Sequence, residues 1–378
     1  MASITTYKVK NGRNERERTR FRVRFRTAEG KQTDKRGFKT RADAERFRAN
    51  VEVSLDRNEY VSPTSSRITL GELAGTWLRR KKSVLKTSAY ESLESAWRVH
   101  VAPQWENKAL NRISKGAVEQ WIADLLEGTT VTGRAPVGAS VVIRCHEVLA
   151  GILDDAVSQN RLVSNPARGV QLPKKGRKPH VYLTHDQVFA LAESSGRAGL
   201  VLTLAYTGIR WGEATGLQVK HVDLFRKRLQ VERNLVNLKY GGVDETKPKN
   251  GKARSVPFPA FLEPYLREAT KNKLPNAHLF TEPDGGMLRR PHTVTGWFDA
   301  AVREVGCQVI TPHDLRHTAA SFAVSSGANV KAVQRMLGHS SAAMTLDVYA
   351  DLFDDDLDAV ATALDTAVQR ARGVSSIS

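Results

Sequence analysis

The sequence predicts a mainly α protein with small β-sheets, an α+β chain of three domains. Three observations carry that expectation. The chain has 378 residues, more than one average domain holds, and 40% of them are apolar, enough for real cores. Strict alternation of apolar and charged residues is confined to a stretch near the N-terminus, whereas apolar residues elsewhere recur at helical spacing behind capping residues. Two stretches without apolar periodicity, 58–66 and 171–180, divide the chain into 1–60, 67–170 and 181–378.

The first region reads as β-strands plus a helix. In Arg20–Arg26, Phe21, Val23 and Phe25 point one way, and Arg20, Arg22, Arg24 and Arg26 the other. A second strand over Lys31–Phe38 follows a turn at Gly30, and Thr40 caps a helix with Ala44, Phe47, Val51 and Leu55 on one side. Four guanidinium groups in a row repel one another unless an anion meets them. A sheet face entering a DNA groove is one such arrangement, and a solvated face is the plainer one. Charge favours the first. Residues 1–50 hold 16 Lys/Arg against 6 Asp/Glu, and the whole chain carries +18. So basic a block suits a polyanion, usually nucleic acid, ahead of a solubilising or membrane-surface face.

Residues 58–66 (NEYVSPTSS) read as a linker. An all-α region follows, with capping boxes at Thr69/Glu72 and Ser88/Glu91 and a core of Leu70, Leu73, Trp77, Leu78, Tyr90 and Trp97. Further helices are predicted near Lys115–Leu126 and Val137–Ser158, and Asn165-Pro166 ends the region. The second linker, QLPKKGRKPH, carries Lys174, Lys175, Arg177 and Lys178. A basic tether suits a clamp around DNA, and any exposed linker could look the same. The third region opens with a capping box at Thr184/Gln187 and is mainly helical, with a short sheet around Leu229–Leu235 and Arg254–Pro257.

Other classes find little support. No run approaches the roughly 18 apolar residues of a membrane span, and MASITTYKVK lacks the apolar core of a secretory leader. Cys145 and Cys307, far apart, read as core residues of a reducing compartment.

Four segments of the third region carry candidate chemistry. In Thr207–Glu213, Gly208 permits a tight turn that places Arg210 at a helix start, with Glu213 near it. In Thr246–Pro257, Asn250-Gly251 is a hairpin signal with Lys249 beside it. In Thr311–His317, Thr311 as N-cap and Pro312 as first helical residue start a helix with His313 and Arg316 on one face, suited to a phosphate. A His313/His317 metal pair lacks the glutamate of the zinc-protease motif and a third ligand. Finally, Val330, Val333 and Leu337 mark a helix that Gly338 ends, His339 follows at once, and Tyr349 lies among Leu346, Val348 and Leu352 on the next helix. Taken singly, each segment has an ordinary structural explanation: an ion pair, a charged turn, a half-buried core tyrosine.

Together they resemble the tyrosine recombinase (phage integrase) family, and the ending TLDVYADLFDDDLDAV looks most like integrases of actinobacterial phages and prophages. The family signature runs in the same chain order: Arg in a T-G-x-R-x-x-E turn, Lys in a β-hairpin, H-x-x-R, L-G-H, then Tyr. The resemblance implies Arg210, Lys249, His313, Arg316 and His339 as catalytic residues, Glu213 as supporting acid and Tyr349 as nucleophile. Lys247 and Lys252 are alternatives for the lysine. It implies an arm-type DNA-binding domain over 1–60, a core-type DNA-binding domain over 67–170 and a catalytic domain with a tail helix over 181–378. It further implies a cytoplasmic strand transferase in the bacterial nucleoid, acting without cofactor or metal. The enzyme would work as a homotetramer on double-stranded DNA, with a host DNA-bending protein and a directionality factor. A Xer-like resolvase, a type IB topoisomerase-like enzyme and a non-enzymatic DNA-binding protein are the competing readings.

Overall fold

The computed structural model describes residues 2–9, 18–27, 30–57, 60–61, 65–176, 179–238, 241–246, 253–292, 294–349, 362 and 364–369. The chain falls into two compact units, Met1–Gly176 and Arg177–Ser378.

The first unit begins with three antiparallel strands, β1 (Ser3–Val9), β2 (Arg18–Arg26) and β3 (Gln32–Phe38), with β2 in the middle. Helix α1 (Arg41–Asp56) starts where Thr40 Oγ1 accepts from the Asp43 amide, and it covers one sheet face. There Val23 and Phe25 are buried against Ala44 and Val51, with Phe47 and Tyr60 packed alongside. Tyr60 meets the Phe25 ring edge-on at 5.1 Å, so it belongs to this core and not to a linker. Strand β1 was not expected, because Ile4, Tyr7 and Val9 do not alternate with polar residues. On the opposite face, Arg24 pairs across β3 with Asp34, and Arg22 with Arg36. Arg22 Nε donates to Thr5 Oγ1 at 2.7 Å and Arg36 Nε to Asp34 Oδ2 at 2.8 Å. Asp34 is the sole acid of the three strands, and its hydrogen bond to Arg36 holds its pKa below the usual range.

A helical bundle follows: α2 (Leu70–Val84), α3 (Thr87–Ala96), a π-helical turn over Trp97–Val101, α4 (Ala102–Trp105), α5 (Lys115–Glu127) and α6 (Ala139–Ser158). The Thr69/Glu72 capping box forms. The Ser88/Glu91 box does not: extended Lys86 makes α3 begin at Thr87, which leaves Ser88 inside the first turn. The bundle closes on Trp77, Trp97, Trp105 and Trp121, the last two meeting edge-on at 5.7 Å. Cys145 is buried here, and burial pushes its thiol up to about 12, a chemically quiet core residue.

The second unit contains α7 (His185–Ser194), α8 (Ala198–Thr207), α9 (Trp211–Gly216), β4 (Val222–Asp223), β5 (Arg228–Val231), β6 (Asn234–Asn237), β7 (Val243–Thr246), β8 (Arg254–Pro257), α10 (Glu263–Thr270), α11 (Trp297–Val305), α12 (Asp314–Ser325), α13 (Val330–Leu337) and α14 (Ala342–Tyr349). The Thr184/Gln187 capping box opens α7 as expected. Helix α8 is apolar around most of its circumference because α7 and α12 both pack on it. Strands β4, β5 and β8 form one sheet in that order, and β6 and β7 a separate hairpin. This corrects the expectation of a hairpin across Asn250-Gly251. The strands on either side, β7 and β8, pair with other partners, and the turn itself lies outside the described residues.

Candidate active site

The ends of four helices deliver the candidate side chains. Helix α8 stops where Gly208 turns left-handed at φ 63°. A Cβ there would lie 2.6 Å from Leu337 Cδ2 and 3.3 Å from Ala319 Cβ, so glycine lets α12 and α13 close onto the turn. Two residues on, Arg210 caps α9. Its amide donates to Glu213 Oε2 at 2.8 Å and its Nη1 to Oε1 at 3.0 Å. Glu213 is 1% exposed. Burial works to raise its pKa, but Arg254 and Arg210 outweigh that, and the carboxyl lies below its usual range.

Arg316, on α12, is 3% exposed. Its Nη1 donates to the Gly208 carbonyl at 2.6 Å, while its buried Nη2 has no hydrogen-bond partner among the described residues. Burial first, then the Arg210 cation, lowers its pKa to about 9, so the group remains charged at neutral pH. A desolvated guanidinium with a spare N–H is a strong anion site. Arg210, Arg254 and Arg316 against Glu213 leave a surplus of two positive charges.

His313 lies just ahead of α12. Helix α12 begins at Asp314, two residues later than Thr311 and Pro312 predicted. The Thr311 amide and hydroxyl both donate to Asp314 Oδ2, at 2.7 and 2.8 Å, which makes Thr311–His313 a turn. His313 stays exposed at the mouth, where partial desolvation and the Arg316 cation lower its pKa. His339 follows the left-handed Gly338 that ends α13. Its Nδ1 lies 2.9 Å from Thr345 Oγ1. With that hydroxyl donating, Nε2 carries the ring hydrogen and is a free donor. Burial, then Arg316, pushes His339 down to about 4, so it is neutral at pH 7.

Tyr349, on α14, is 1% exposed and packs with Ala320, Val324, Val333 and Leu337. A purely structural tyrosine in that run is expected half-buried, and this one is deeper. Its hydroxyl is 2.8 Å from Nδ1 of His317, a residue the sequence reading weighed only as a metal ligand. The His317 ring in turn lies 4.1 Å from that of His180, on the segment entering this unit, and the His339 ring is parallel to the phenol at 6.4 Å. Burial pushes the phenol up to about 12, against the pull of the Arg316 and Arg210 cations. His317 is pushed down to about 4 by burial and by His180 and His313.

Arg210, Glu213, His313, Arg316, His339 and Tyr349 therefore meet around one pocket of one chain. Lys249, with Lys247 and Lys252, lies outside the described residues, as do Arg177 and Lys178; Lys174 and Lys175 are exposed. Arg254, which donates to both Glu213 oxygens, was also missed; its signal was only a basic residue opening a strand. Among the described residues no group of three or more His, Cys, Asp or Glu could hold a metal ion, and no helix is long and apolar enough to cross a membrane.

Comparison with known proteins agrees with this geometry. The phage integrase family model matches residues 182–355. The chain is 26% identical over 323 residues to a putative prophage phiRv2 integrase of Mycobacterium tuberculosis, covering 82% of each chain. Its fold is similar to that of the Tn1549 transposon integrase, solved with circular intermediate DNA (TM-score 0.63, 22% identity, 79% of this chain and 100% of that one). It is also similar to lambda integrase, solved as a tetramer on a Holliday junction (TM-score 0.58, 17% identity, 84% of this chain and 93% of that one).

Proposed function

We propose that the chain is a site-specific recombinase of the phage integrase family, a DNA strand transferase, that Tyr349 is its nucleophile and that the pocket around Arg316 holds the scissile phosphate. The carrying observation is the buried Arg316 Nη2, charged and without a partner among the described residues, beside the partly exposed Arg210. Their forks take the two non-bridging oxygens. The pocket's two surplus positive charges match the two negative charges of a pentacoordinate phosphorus better than the single charge of the diester, so binding tightens as the transition state forms.

The tyrosyl oxygen bonds to phosphorus and the bond to the 5′-oxygen breaks, giving a 3′-phosphotyrosyl link and a 5′-hydroxyl. His313, neutral at pH 7, takes the phenolic proton, and His317, which holds the hydroxyl in the resting chain, is the second acceptor. Lys249 returns a proton to the leaving 5′-oxygen. His339 donates Nε2–H to the phosphate. The covalent link conserves the energy of the phosphodiester, so a second 5′-hydroxyl reverses the step and no nucleotide is hydrolysed. A phenol 1% exposed cannot meet phosphorus in line, so α14 shifts when DNA docks.

The remaining assignments complete the same reading. Residues 1–60 hold arm-type sites through Arg20, Arg22, Arg24 and Arg26. Residues 67–170 and 181–378 grip core sites, and Lys174, Lys175, Arg177 and Lys178 follow the backbone between them. Four chains assemble on two sites in the bacterial cytoplasm, integrating an element and, with a host DNA-bending protein and a directionality factor, excising it. The DNA-bound structural neighbours support DNA as partner, and the lambda tetramer supports the assembly.

The test is incubation with attachment-site DNA nicked beside the crossover. Wild type forms a covalent adduct that maps to Tyr349. Tyr349→Phe forms none and still binds the DNA. An adduct on any other residue overturns the proposal.

A further inference from the structure

We propose that Arg254 is a positioning residue for strand cleavage: by filling half of the Glu213 carboxylate it keeps the Arg210 guanidinium available to the scissile phosphate. The inference rests on the pocket assignment above.

A carboxylate offers about four lone-pair sites, and the Glu213 side chain is 0% exposed. All four sites are taken. Oε1 accepts from Arg210 Nη1 at 3.0 Å and Arg254 Nη1 at 2.9 Å, and Oε2 from the Arg210 amide at 2.8 Å and Arg254 Nη2 at 2.7 Å. The two arginines use the acid differently. Arg254 closes on it with a full fork, whereas Arg210 commits a single guanidinium nitrogen and stays 22% exposed.

Arg254 itself is locked. It opens β8, opposite Val231 of β5. Its Nε donates to the Met336 carbonyl at 3.2 Å. Gly338 lies on the guanidinium, where a Cβ would sit 2.9 Å from Arg254 Cζ. Its side chain is 13% exposed, less than that of Arg210. With each of its three nitrogens donating to a protein acceptor, it acts on the reaction through Glu213.

Removing its fork would leave a buried carboxylate with two empty acceptor sites. The nearest flexible cation is Arg210, and a buried anion recruits such a donor strongly. Arg210 would turn onto Glu213 bidentately and leave the phosphate. Removing the charge on Glu213 as well removes that pull. A residue that merely supports the fold would show no such suppression.

The experiment uses the full chain and a nicked core-site duplex at saturating concentration, reading single-turnover adduct formation, DNA affinity and the thermal midpoint. Arg254→Gln is expected to slow adduct formation about 100-fold, the scale of one lost charge-stabilising group, with affinity within about threefold. Adding Glu213→Gln should then restore about tenfold or more. Should Arg254→Gln fold poorly, the comparison moves to the Glu213→Gln background, which leaves no buried carboxylate charge at that position. There a further Arg254→Gln should cost no more than about threefold. The inference is overturned if the double variant is no faster than Arg254→Gln, or if Arg254→Gln costs the same in both backgrounds. Arg210→Ala and Tyr349→Phe separate the two levels. If either still forms adduct at the wild-type rate, the pocket assignment has failed; if both are inactive and Arg254→Gln cleaves at the wild-type rate, only this inference has.

Discussion

Two groups of arginines divide the molecule's electrostatics between them. On β2, Arg20, Arg22, Arg24 and Arg26 stand in a row on an open sheet face with one neighbouring acid, Asp34. In the second unit, Arg210, Arg254 and Arg316 surround one buried acid, Glu213, and are themselves mostly buried. The first group is spaced by the strand, half-buried at Arg20, Arg22 and Arg24 and exposed at Arg26, with Arg22 held on Thr5. The second is desolvated and oriented by fixed partners: a carbonyl for Arg316, a carboxylate for the other two. A row of like charges along one sheet face can gather a polyanion from a distance, with salt-dependent affinity. A buried, oriented pair such as Arg210 and Arg316, backed by Arg254, can fix a single phosphate and stabilise charge appearing on it.

The sharpest way to break the comparison is to remove one arginine of each kind. Arg316→Ala should lower adduct formation at saturating DNA by about 10³-fold or more, since each oriented donor is worth about 10²–10³, with little change in affinity. Arg24→Ala should leave cleavage of a short core-site duplex unchanged. It should weaken binding to arm-type DNA and flatten the dependence of log affinity on log salt by about 0.9 for each phosphate the variant no longer neutralises. A gel-shift salt titration beside a single-turnover assay reads both. Equal effects of the two variants on cleavage would mean that the distinction between steering and chemistry is wrong.

The two groups also differ in how far the sequence revealed them. The β2 row is a local pattern: period two places its side chains without reference to the rest of the chain, although its partner strand β1, lacking alternation, went unseen. The pocket is assembled from residues more than 100 positions apart. Spacing alone could pair His313 with Arg316, and only the family resemblance joined them to Arg210, His339 and Tyr349. What neither could supply were His317 and Arg254, whose roles depend on which ring meets the phenol and which guanidinium meets the buried acid. The depth of Tyr349 was equally invisible, because the run around it is apolar enough for either a half-buried or a buried position.

A smaller effect tests how tightly the trio is held. Gly208 supplies the carbonyl that Arg316 donates to, and its left-handed φ of 63° leaves no room for a side chain against Leu337. Gly208→Ala adds left-handed strain of about 1–2 kcal/mol to that clash, and should lower the thermal midpoint by several degrees. Adduct formation should fall with it, because Leu337 and the turn must separate and carry the carbonyl away from Arg316. An unchanged cleavage rate in a destabilised protein would mean that Arg316 does not depend on this carbonyl for its orientation.

The smallest expected effect concerns pH and again separates the two regions. Residues 1–60 contain no histidine, whereas in the pocket burial holds His317 and His339 down to about 4. In the unfolded chain both would titrate near 6.5. Between those values the unfolded state binds protons that the folded state refuses, so stability falls as pH falls through that window and is fully present above it. Tryptophan emission follows the chain beyond residue 60, where all six tryptophans lie, and Trp211 and Trp297 report from the unit that carries the pocket. The emission-detected thermal midpoint should therefore drop by a few degrees from pH 7 to pH 5. The drop should be smaller in His339→Asn, which has no proton to take up there. If wild type and His339→Asn lose stability in parallel across that range, His339 is not held neutral by the pocket, and the phosphate donor assigned to it would have to be a cation instead.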